Sequence, residues 1–377
     1  MSLPDLIRAE IARRGPIPFR DFMELALYHP EHGYYTSGRA AIGRGGDFFT
    51  NVSVGPLFGK LLARQFAEMW EQLDRPVPFV IVEQGAHRGD FAHDALGGLR
   101  DLAPECFAAV EYRLIEPSST LANAQRERLA EFADRIRWHP DLDSLSPFTG
   151  VHFSNELIDA FPVHLVKWTG TQWVERSVQS KDDSFVFCDG ELSTPELQPR
   201  LAALPEVPPG YQTEINLATD AWLAALVSKL QHGCILAIDY GYPRAEYFCS
   251  ERTEGTLSAY AAHRREPDPL TRPGEIDLTA HVDFTGLAQR ALQLGFDLAG
   301  FTDQHHFFVG LSRLHFADSA PVTPAAQKEL RALQTLMHPE AMGRAFKAIC
   351  LSEGLTENPP LAGFEFAKNA RTSLGLA

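Results

Sequence analysis

The chain has 377 residues, enough for one large domain with insertions or two modest domains. Hydrophobic residues make up 45% and charged residues 22% of it, a composition typical of a globular protein with a sizeable core. Lys and Arg number 34 against 49 Asp and Glu, which gives a formal net charge of −15. Because an acidic surface repels nucleic-acid phosphates and anionic membranes, we expect neither as a partner.

The number and spacing of the cysteines indicate the redox state of the compartment and whether a cysteine-based metal site is expected. The five cysteines are scattered, and none forms a Cys-x-x-Cys pair. This pattern argues against a disulfide framework and a cysteine-based zinc site, and it is typical of a reducing compartment. The first residues lack the apolar core of a signal peptide, and no apolar stretch reaches the roughly 20 residues that span a bilayer. We therefore expect a soluble cytoplasmic protein, and no metal site, even though His305 and His306 are adjacent.

In chain order, apolar spacing predicts helices that alternate with short apolar strands. Helices are predicted over 4–14, 54–73, 89–102, 119–133, 282–294 and from 323 onward. Strands are predicted over 79–84, 111–116, 135–139, 150–155, 234–239, about 298–302 and 345–351. Such alternation indicates an α/β fold with parallel strand pairing.

Two stretches depart from this alternation. Residues 163–188 alternate apolar and polar side chains around Gly170-Thr171, which predicts an antiparallel hairpin appended to the sheet. Residues 251–283 are rich in Arg, Pro and Thr and have little periodicity, so we predict an ordered insertion on the substrate side there rather than a linker.

The stretch Phe79–Gly89 is the most informative in the chain. A short apolar run ends at Glu83 and is followed by a turn with Gly85 and Gly89, then by a helical segment. In doubly wound sheets such a strand–turn–helix unit is where a nucleotide-like cofactor meets the sheet, and glycine lets the backbone approach it closely. Since Glu83 could hold a positive charge, the motif favours S-adenosylmethionine (SAM) over a dinucleotide.

Two acids follow the next strands. Glu116 ends the second strand, the position from which an acid takes the ribose hydroxyls of a cofactor; a simple helix-capping role is the alternative. It lies 31 residues after Gly85, whereas the dinucleotide-binding motif has about 20 residues there, and no G-x-G-x-x-G occurs. Both observations argue against an NAD-dependent enzyme. Asp141 follows the third strand and is either an acceptor for the adenine amine or a solvated loop residue.

A further acidic pair follows the fourth strand, in the segment Ser154–Pro162. Glu156 and Asp159 are three residues apart on one short turn, beside the expected switch point of the sheet. Paired carboxylates suit a guanidinium, a planar cation with its donors in a fixed fork, and they could equally hold an amine. The alternative is a pair of acids favoured by a helix start.

The order of several short motifs resembles the MidA family of SAM-dependent methyltransferases, which includes a mitochondrial assembly factor of respiratory complex I. The matching segments are Asp21-Phe22-Met23, Tyr28-His29-Pro30, Gly33-Tyr34-Tyr35, Gly46–Thr50, Phe58-Gly59, Glu83-Gln84-Gly85, Asn155-Glu156, Asp159–Pro162, Asp239-Tyr240-Gly241 and Gly274–Phe284. The resemblance extends from about residue 16 to residue 350.

The resemblance implies a Rossmann-like, mostly parallel seven-stranded methyltransferase sheet. The expected organisation is a helical region over 1–78 that contributes to the cofactor pocket, a methyltransferase domain over 79–353 with insertions at about 163–230 and 251–283, and an irregular tail over 354–377. It also implies methylation of a protein arginine, in a complex I subunit or assembly partner. Surface helices are compatible with a homodimer.

The resemblance implies that the Gly46–Thr50 loop, with Asp47 and Thr50, belongs to the cofactor pocket. The other predicted cofactor-binding residues are Glu83, Gly85, Gly89, Glu116, Asp141 and Asn155. The resemblance also implies that the Asn155-Glu156 segment faces the methyl acceptor. From the chemistry of carboxylates and guanidinium groups we hypothesise that Glu156 is the main catalytic residue, with Asp159 and Asn155 as its helpers.

One position departs from the family pattern. The family turn reads Glu-x-Gly-Pro-Gly-x-Gly, whereas this chain has Ala86 and His87 in place of the proline and the middle glycine. A side chain at position 87 would crowd a ligand against which that glycine normally brings backbone. The alternative function is therefore a weakly active or inactive assembly or binding factor that keeps the methyltransferase fold.

Overall fold

The computed structural model of the protein describes residues 1–37, 50–261, 264–316, 323–355 and 360–376. Within these residues the helices are α1 (Leu3–Arg14), α2 (Phe19–Tyr28), α3 (Leu57–Gln72), α4 (Asp90–Leu102), α5 (Pro104–Ala109), α6 (Ser119–Arg128), α7 (Leu197–Ala202), α8 (Ala218–Val227), α9 (Arg244–Tyr247), α10 (Phe284–Gln293), α11 (Gln304–His315), α12 (Pro324–Met337) and α13 (Ala370–Ser373).

The strands of the same residues are β1 (Ile17–Pro18), β2 (Phe79–Gln84), β3 (Val110–Ile115), β4 (Ile136–His139), β5 (Phe148–Asn155), β6 (His164–Trp168), β7 (Trp173–Lys181), β8 (Ser184–Gly190), β9 (Gln212–Ile215), β10 (Leu230–Tyr242), β11 (Ser258–Ala261), β12 (Arg264–Glu266), β13 (Asp277–Thr279), β14 (Val282–Asp283), β15 (Asp297–Asp303) and β16 (Phe346–Glu353).

The chain divides into two compact units, each built from separate stretches of sequence. The first unit comprises residues 1–49, 158–222 and 242–283, and the second comprises residues 50–157, 223–241 and 284–377. The domain boundaries expected from the sequence, after residues 78 and 353, stay a prediction. Among the described residues, no helix combines the length and the apolar character needed to cross a membrane.

Seven strands of a largely parallel, eight-stranded sheet organise the second unit, in the order β15-β16-β10-β5-β2-β3-β4. The five strands from β10 to β4 pair in parallel, whereas β16 is antiparallel to both of its neighbours. Each of the seven coincides with a strand predicted from the sequence, so the expected fold class is confirmed. The apolar runs were strong signals because strands covered on both faces are hydrophobic throughout.

Helices α3 and α4 pack tightly against each other in this unit. A Cβ atom on Gly59 would lie 2.6 Å from the Cβ of Asp94 and 2.8 Å from the amide nitrogen of Ala95. The Phe58 side chain beside it is fully buried in the core, at 5.4 Å between ring centroids from Phe91 of α4. The Phe58-Gly59 motif therefore combines an apolar anchor with the space for a helix crossing.

The first unit has its own sheet and its own core. Strands β1, β7, β6 and β9 pair side by side in an antiparallel sheet, and β8 pairs with β7. The hairpin expected over 163–188 is thus present, but the expectation that it extends the parallel sheet is wrong. Residues from α1 and α2 share an apolar cluster with this sheet, including Ile7, Phe22 and Val178, and such nonlocal packing leaves no trace in local periodicity.

The insertion over 251–283 is more regular than its sequence indicates. Strands β12, β11 and β13 form a small antiparallel sheet within the first unit. Its link to β9 is a buried carboxylate: Glu214 accepts hydrogen bonds from the amides of Thr256 and Leu257, both 2.9 Å long. The Thr256 hydroxyl also donates to Glu214 over 3.0 Å, so a polar side chain of this segment lies in the interior, where local periodicity would predict an apolar one.

Candidate cofactor and acceptor site

The strand order reverses direction between β2 and β5. From β2 the chain continues outward to β3 and β4, whereas β5 and β10 extend the sheet on the opposite side. Gln84 of β2 is in register with Ser154 of β5, and Asn155 is in register with Ile238 of β10. The carboxyl ends of these strands therefore lie at one edge, and ligands of open α/β sheets bind at such a switch point.

The loop after β2 has an unusual backbone. Gly85, His87 and Gly89 all have positive φ angles, of 84°, 45° and 83°. Glycine adopts this left-handed region freely, whereas histidine does so at a cost of roughly 1–2 kcal/mol. His87 thus keeps the loop conformation for which a glycine would be suited.

Gly89 also provides space. A Cβ atom there would lie 3.1 Å from Cδ1 of Leu129 and 3.5 Å from Cγ of Gln125, which belongs to α6. The amide of Gly89 donates to the carbonyl of Ala86 over 2.8 Å, closing the turn from which α4 begins. The glycine positions found in the sequence therefore set both the turn and the close approach of α6.

Glu83, the acid at the end of β2, lies inside the protein with 4% of its surface exposed. Its Oε2 atom accepts a 2.7 Å hydrogen bond from the hydroxyl of Tyr112 on β3. Burial raises the pKa of the Glu83 carboxyl to about 8, and the Tyr112 hydrogen bond acts in the opposite direction.

Glu116 follows β3 and is partly exposed at the same edge. Its Oε1 atom accepts the amide of Ser118 and its Oε2 atom accepts the side-chain amide of Gln125, each over 2.9 Å. A carboxylate has about four lone-pair sites, so this geometry leaves acceptor capacity for two further hydroxyl groups. Burial raises the pKa of Glu116 above its usual range, and these two hydrogen bonds lower it.

Asp141 differs from Glu116 in its surroundings. It is exposed, its Oδ1 atom accepts the amide of Ser144 over 2.8 Å, and its backbone carbonyl accepts the Ser144 hydroxyl. These contacts belong to a local turn, and none of them links Asp141 to the loop after β2.

Asn155 and Glu156 lie together at the end of β5. The Asn155 amide donates to Oε1 of Glu156 over 2.8 Å, and Glu156 has a positive φ of 54°. Asn51 binds both residues: its backbone amide donates to Oε1 of Glu156 (3.4 Å) and its side-chain amide to Oδ1 of Asn155 (2.8 Å). The carboxylate at the strand end is thus held in a defined orientation.

Two residues of this network were not singled out by the sequence. Asn51 is fully buried, and its side-chain oxygen accepts the amide of Gln304 on α11 over 2.9 Å. Gln304 also donates to the carbonyl of Leu336. Each lies just beyond a predicted motif, Asn51 next to Thr50 and Gln304 before the His305-His306 pair, and a lone amide gives no spacing signal.

The remaining predicted residues are placed as follows. Thr50 is buried and shares a 2.8 Å hydroxyl hydrogen bond with Ser53. Asp47 lies outside the described residues. Asp159 belongs to the first unit, where its carbonyl accepts the amide of Ala280 over 2.9 Å.

Both of the adjacent histidines at the start of α11 contact other groups of the protein. Nδ1 of His305 lies 2.9 Å from the carbonyl of Met337, and Nδ1 of His306 lies 2.6 Å from Asp303, which caps the helix. Among the described residues, no cluster of three or more potential metal ligands occurs.

Comparison with known proteins assigns this arrangement to a class. Residues 61–302, more than half of the chain, match the family described as "Putative S-adenosyl-L-methionine-dependent methyltransferase". A crystal structure of a Burkholderia thailandensis protein bound to S-adenosyl-homocysteine superimposes with a TM-score of 0.89 at 34% identity, over 98% of this chain and 96% of that one. The chain belongs to this family of SAM-dependent methyltransferases, and the predicted cofactor and enzyme class are confirmed.

Curated relatives extend the comparison. The protein arginine methyltransferase NDUFAF7 homolog of Drosophila melanogaster, named mitochondrial, is 28% identical and aligns with 96% of this chain and 88% of its own length. The human protein arginine methyltransferase NDUFAF7, also named mitochondrial, is 26% identical and aligns with 97% of this chain and 85% of its own length. The expected resemblance to a methyltransferase family with a mitochondrial member is thereby confirmed.

These names contradict the cytoplasmic location expected from the sequence. The relatives are mitochondrial proteins, so that prediction is wrong. Its physical basis was too weak, because scattered cysteines indicate a reducing environment and do not identify which compartment provides it.

The residues present fit the cofactor of this class. The loop after β2 has the left-handed backbone that a close ligand approach requires, and Glu116 has acceptor capacity at the neighbouring strand end. Both lie at the carboxyl edge beside the switch point, where the sheet positions a nucleotide-like ligand.

Proposed function

We propose that this SAM-dependent methyltransferase methylates an arginine side chain of a protein substrate. The observation that carries the proposal is the Glu156 carboxylate at the end of β5, oriented by Asn155 and Asn51. Both curated relatives are named protein arginine methyltransferases and align with nearly the whole chain. A net charge of −15 also favours encounter with a cationic acceptor.

We assign cofactor binding to the second unit. Glu116 would accept the ribose hydroxyls, the backbone of the loop Gly85–Gly89 would contact the cofactor, and Glu83 would lie beneath that loop. Thr50 remains a cofactor-binding candidate because of its position in the family motif, and Asp141 because it follows the third predicted strand. The role of Asp47 stays a prediction from the sequence. When bound, SAM supplies a methyl group already activated on a sulfonium.

We assign acceptor binding to Glu156. A guanidinium spreads its lone pair over three nitrogens, so a carboxylate that accepts from two of them leaves density on the third and stabilises the cation as it forms. Asn155 would keep the carboxylate in this orientation through its 2.8 Å hydrogen bond. A helper role for Asp159 stays a prediction from the sequence.

The test separates binding from methyl transfer. Glu156→Gln keeps the shape and the left-handed backbone of position 156 but loses the negative charge. We expect it to bind S-adenosyl-homocysteine with unchanged affinity in calorimetry and to lose at least about 100-fold in methyl transfer. Glu127→Gln, an exposed position on α6, is the matched control. Methyl transfer by Glu156→Gln at the wild-type rate would contradict the assignment.

The acceptor is tested with labelled SAM and arginine-containing protein fractions, followed by amino-acid analysis of the product. Label in methylarginine is the expected result, and label confined to lysine or histidine would overturn the arginine proposal. The family resemblance directs the first trials to complex I subunits and their assembly partners. The oligomeric state, expected to include a homodimer, is measured by light scattering.

A further inference from the structure

Gln125 of α6 is completely buried and makes three polar contacts. Its side-chain nitrogen donates to the carbonyl of His87 (2.8 Å) and to Oε2 of Glu116 (2.9 Å). Its side-chain oxygen accepts the indole N–H of Trp138 over 3.1 Å. Because an indole can only donate, the amide orientation is fixed, with its nitrogen toward His87 and Glu116.

These three partners follow or belong to three adjacent parallel strands. His87 lies in the loop after β2, Glu116 directly after β3, and Trp138 within β4. The Gln125 side chain therefore links the loop after β2 to Glu116, the acid at the end of the next strand. Arg126 lies over the Trp138 ring, at 4.8 Å from its centroid, and covers the third partner from outside.

Packing alone does not require an amide here. Burying a polar side chain is unfavourable unless its hydrogen bonds are made, and a methionine would fill similar space without that cost. Gln125 meets the requirement because both ends of its amide are bonded. The hydrogen bond to Glu116 involves a carboxylate, and bonds to charged groups are about twice as strong as neutral ones.

We propose that Gln125 is a positioning residue of the cofactor site, which holds the Glu116 carboxylate and the His87 turn in the arrangement that receives the cofactor. This inference rests on the proposed ribose role of Glu116. Gln125 is buried and does not itself contact the ligand. It acts by preorganisation, since groups already held in place need not be ordered when the ligand binds.

The variant Gln125→Met removes the donor and keeps the volume. We expect its dissociation constant for S-adenosyl-homocysteine, measured by calorimetry on the full chain, to rise about tenfold or more. Gln65→Met is the matched control, because Gln65 is equally buried in the same unit and bonds Glu68 and Gly363. Both variants should lower the melting temperature, and only Gln125→Met should weaken ligand binding.

A double-mutant cycle distinguishes positioning from general structural support. If Gln125 acts in part through Glu116, the affinity penalty of Gln125→Met should be clearly smaller in a Glu116→Gln protein than in the wild type, and the remainder should reflect the lost contact with the His87 carbonyl. An equal penalty in both backgrounds, or an equal penalty in Gln65→Met, would overturn the inference. Where Gln125→Met fails to fold, Gln125→Glu, which keeps the acceptor for Trp138 and sets a carboxylate against Glu116, is measured in its place with the same expected weakening.

The two levels of the proposal fail in different ways. Weak binding by Glu116→Gln together with wild-type binding by Gln125→Met would overturn the role of Gln125 alone. Wild-type binding by Glu116→Gln would overturn the ribose assignment itself.

Discussion

The hydroxyl of Tyr112 donates a 2.7 Å hydrogen bond to the carboxyl of Glu83, and both side chains are shielded from water. The acid that ends β2 is therefore not a solvated carboxylate. Burial raises the pKa of Glu83 to about 8. Near pH 7 this carboxyl is therefore mostly protonated in the folded protein, whereas it is ionised in the unfolded chain.

Stability should consequently fall as pH rises through this range. Between the ordinary value of 4.5 and about 8, the folded state binds more protons at Glu83 than the unfolded state does. The wild-type free energy of unfolding should decrease relative to that of Glu83→Gln by roughly 1 kcal/mol for each pH unit in this window. Urea unfolding of both proteins at pH 5, 6, 7 and 8 measures the difference, and a difference independent of pH would contradict it.

Cofactor charge should displace the Glu83 proton. If the sulfonium lies near this carboxyl, SAM binding lowers its pKa, because a nearby positive charge favours the ionised form. We expect proton release when SAM binds at pH 7, less release with the uncharged sulfur of S-adenosyl-homocysteine, and none of this difference in Glu83→Gln. Calorimetry in two buffers of different ionisation enthalpy measures it. Equal release with both ligands would place the sulfonium away from Glu83.

Replacing His87 by glycine should relieve backbone strain without rebuilding the site. The left-handed conformation costs histidine about 1–2 kcal/mol, and the extra freedom of glycine in the unfolded chain offsets about 0.5–1 kcal/mol of that. We expect His87→Gly to raise the free energy of unfolding by up to about 1 kcal/mol. Arg88→Gly, at a neighbouring exposed position, should lower it.

The affinity of His87→Gly for S-adenosyl-homocysteine decides between two views of this loop. We expect a change of less than about threefold, because Gln125 holds the backbone carbonyl of residue 87 and not its side chain. A tenfold gain in affinity would show instead that the imidazole crowds the ligand.

The crossing of α3 and α4 should not tolerate even one added methyl group. Gly59→Ala places a Cβ atom 2.6 Å from that of Asp94, and we expect a loss of about 1–3 kcal/mol in the free energy of unfolding. Gly97→Ala on α4 meets nothing within 4 Å and should stabilise the protein by about 0.5–1 kcal/mol. Denaturant unfolding measures the free energy of unfolding of both variants. A change of the same sign in both would contradict the prediction.

The strands of the main sheet and the positions of its terminal acids could be predicted from local sequence. A buried parallel strand such as β2 is apolar throughout, and the residues at its end, Glu83 and Gly85, are defined by where the apolar run stops. The same reasoning located Glu116 after β3 and Asn155 at the end of β5. These signals are short-range and need no knowledge of partners.

The supporting amides could not be predicted in this way. Gln125 lies on a helix whose other residues are largely polar, so its burial depends on the loop after β2, 38 residues earlier. Asn51 meets Asn155 across 104 residues. The division into two units is nonlocal in the same sense, since the hairpin β6–β7 pairs with β1 and not with the strand that precedes it.

The place of β16 in the sheet has a consequence for synthesis on the ribosome. This strand, formed by residues 346–353, separates β10 from β15 and pairs with both. Until it emerges, the nascent chain presents one long side of β10 with its backbone groups unsatisfied, and such an edge invites pairing with other chains. The sheet therefore closes only after residues 346–353 have emerged, and a chain truncated before residue 346 would be an aggregation-prone product rather than a shortened enzyme.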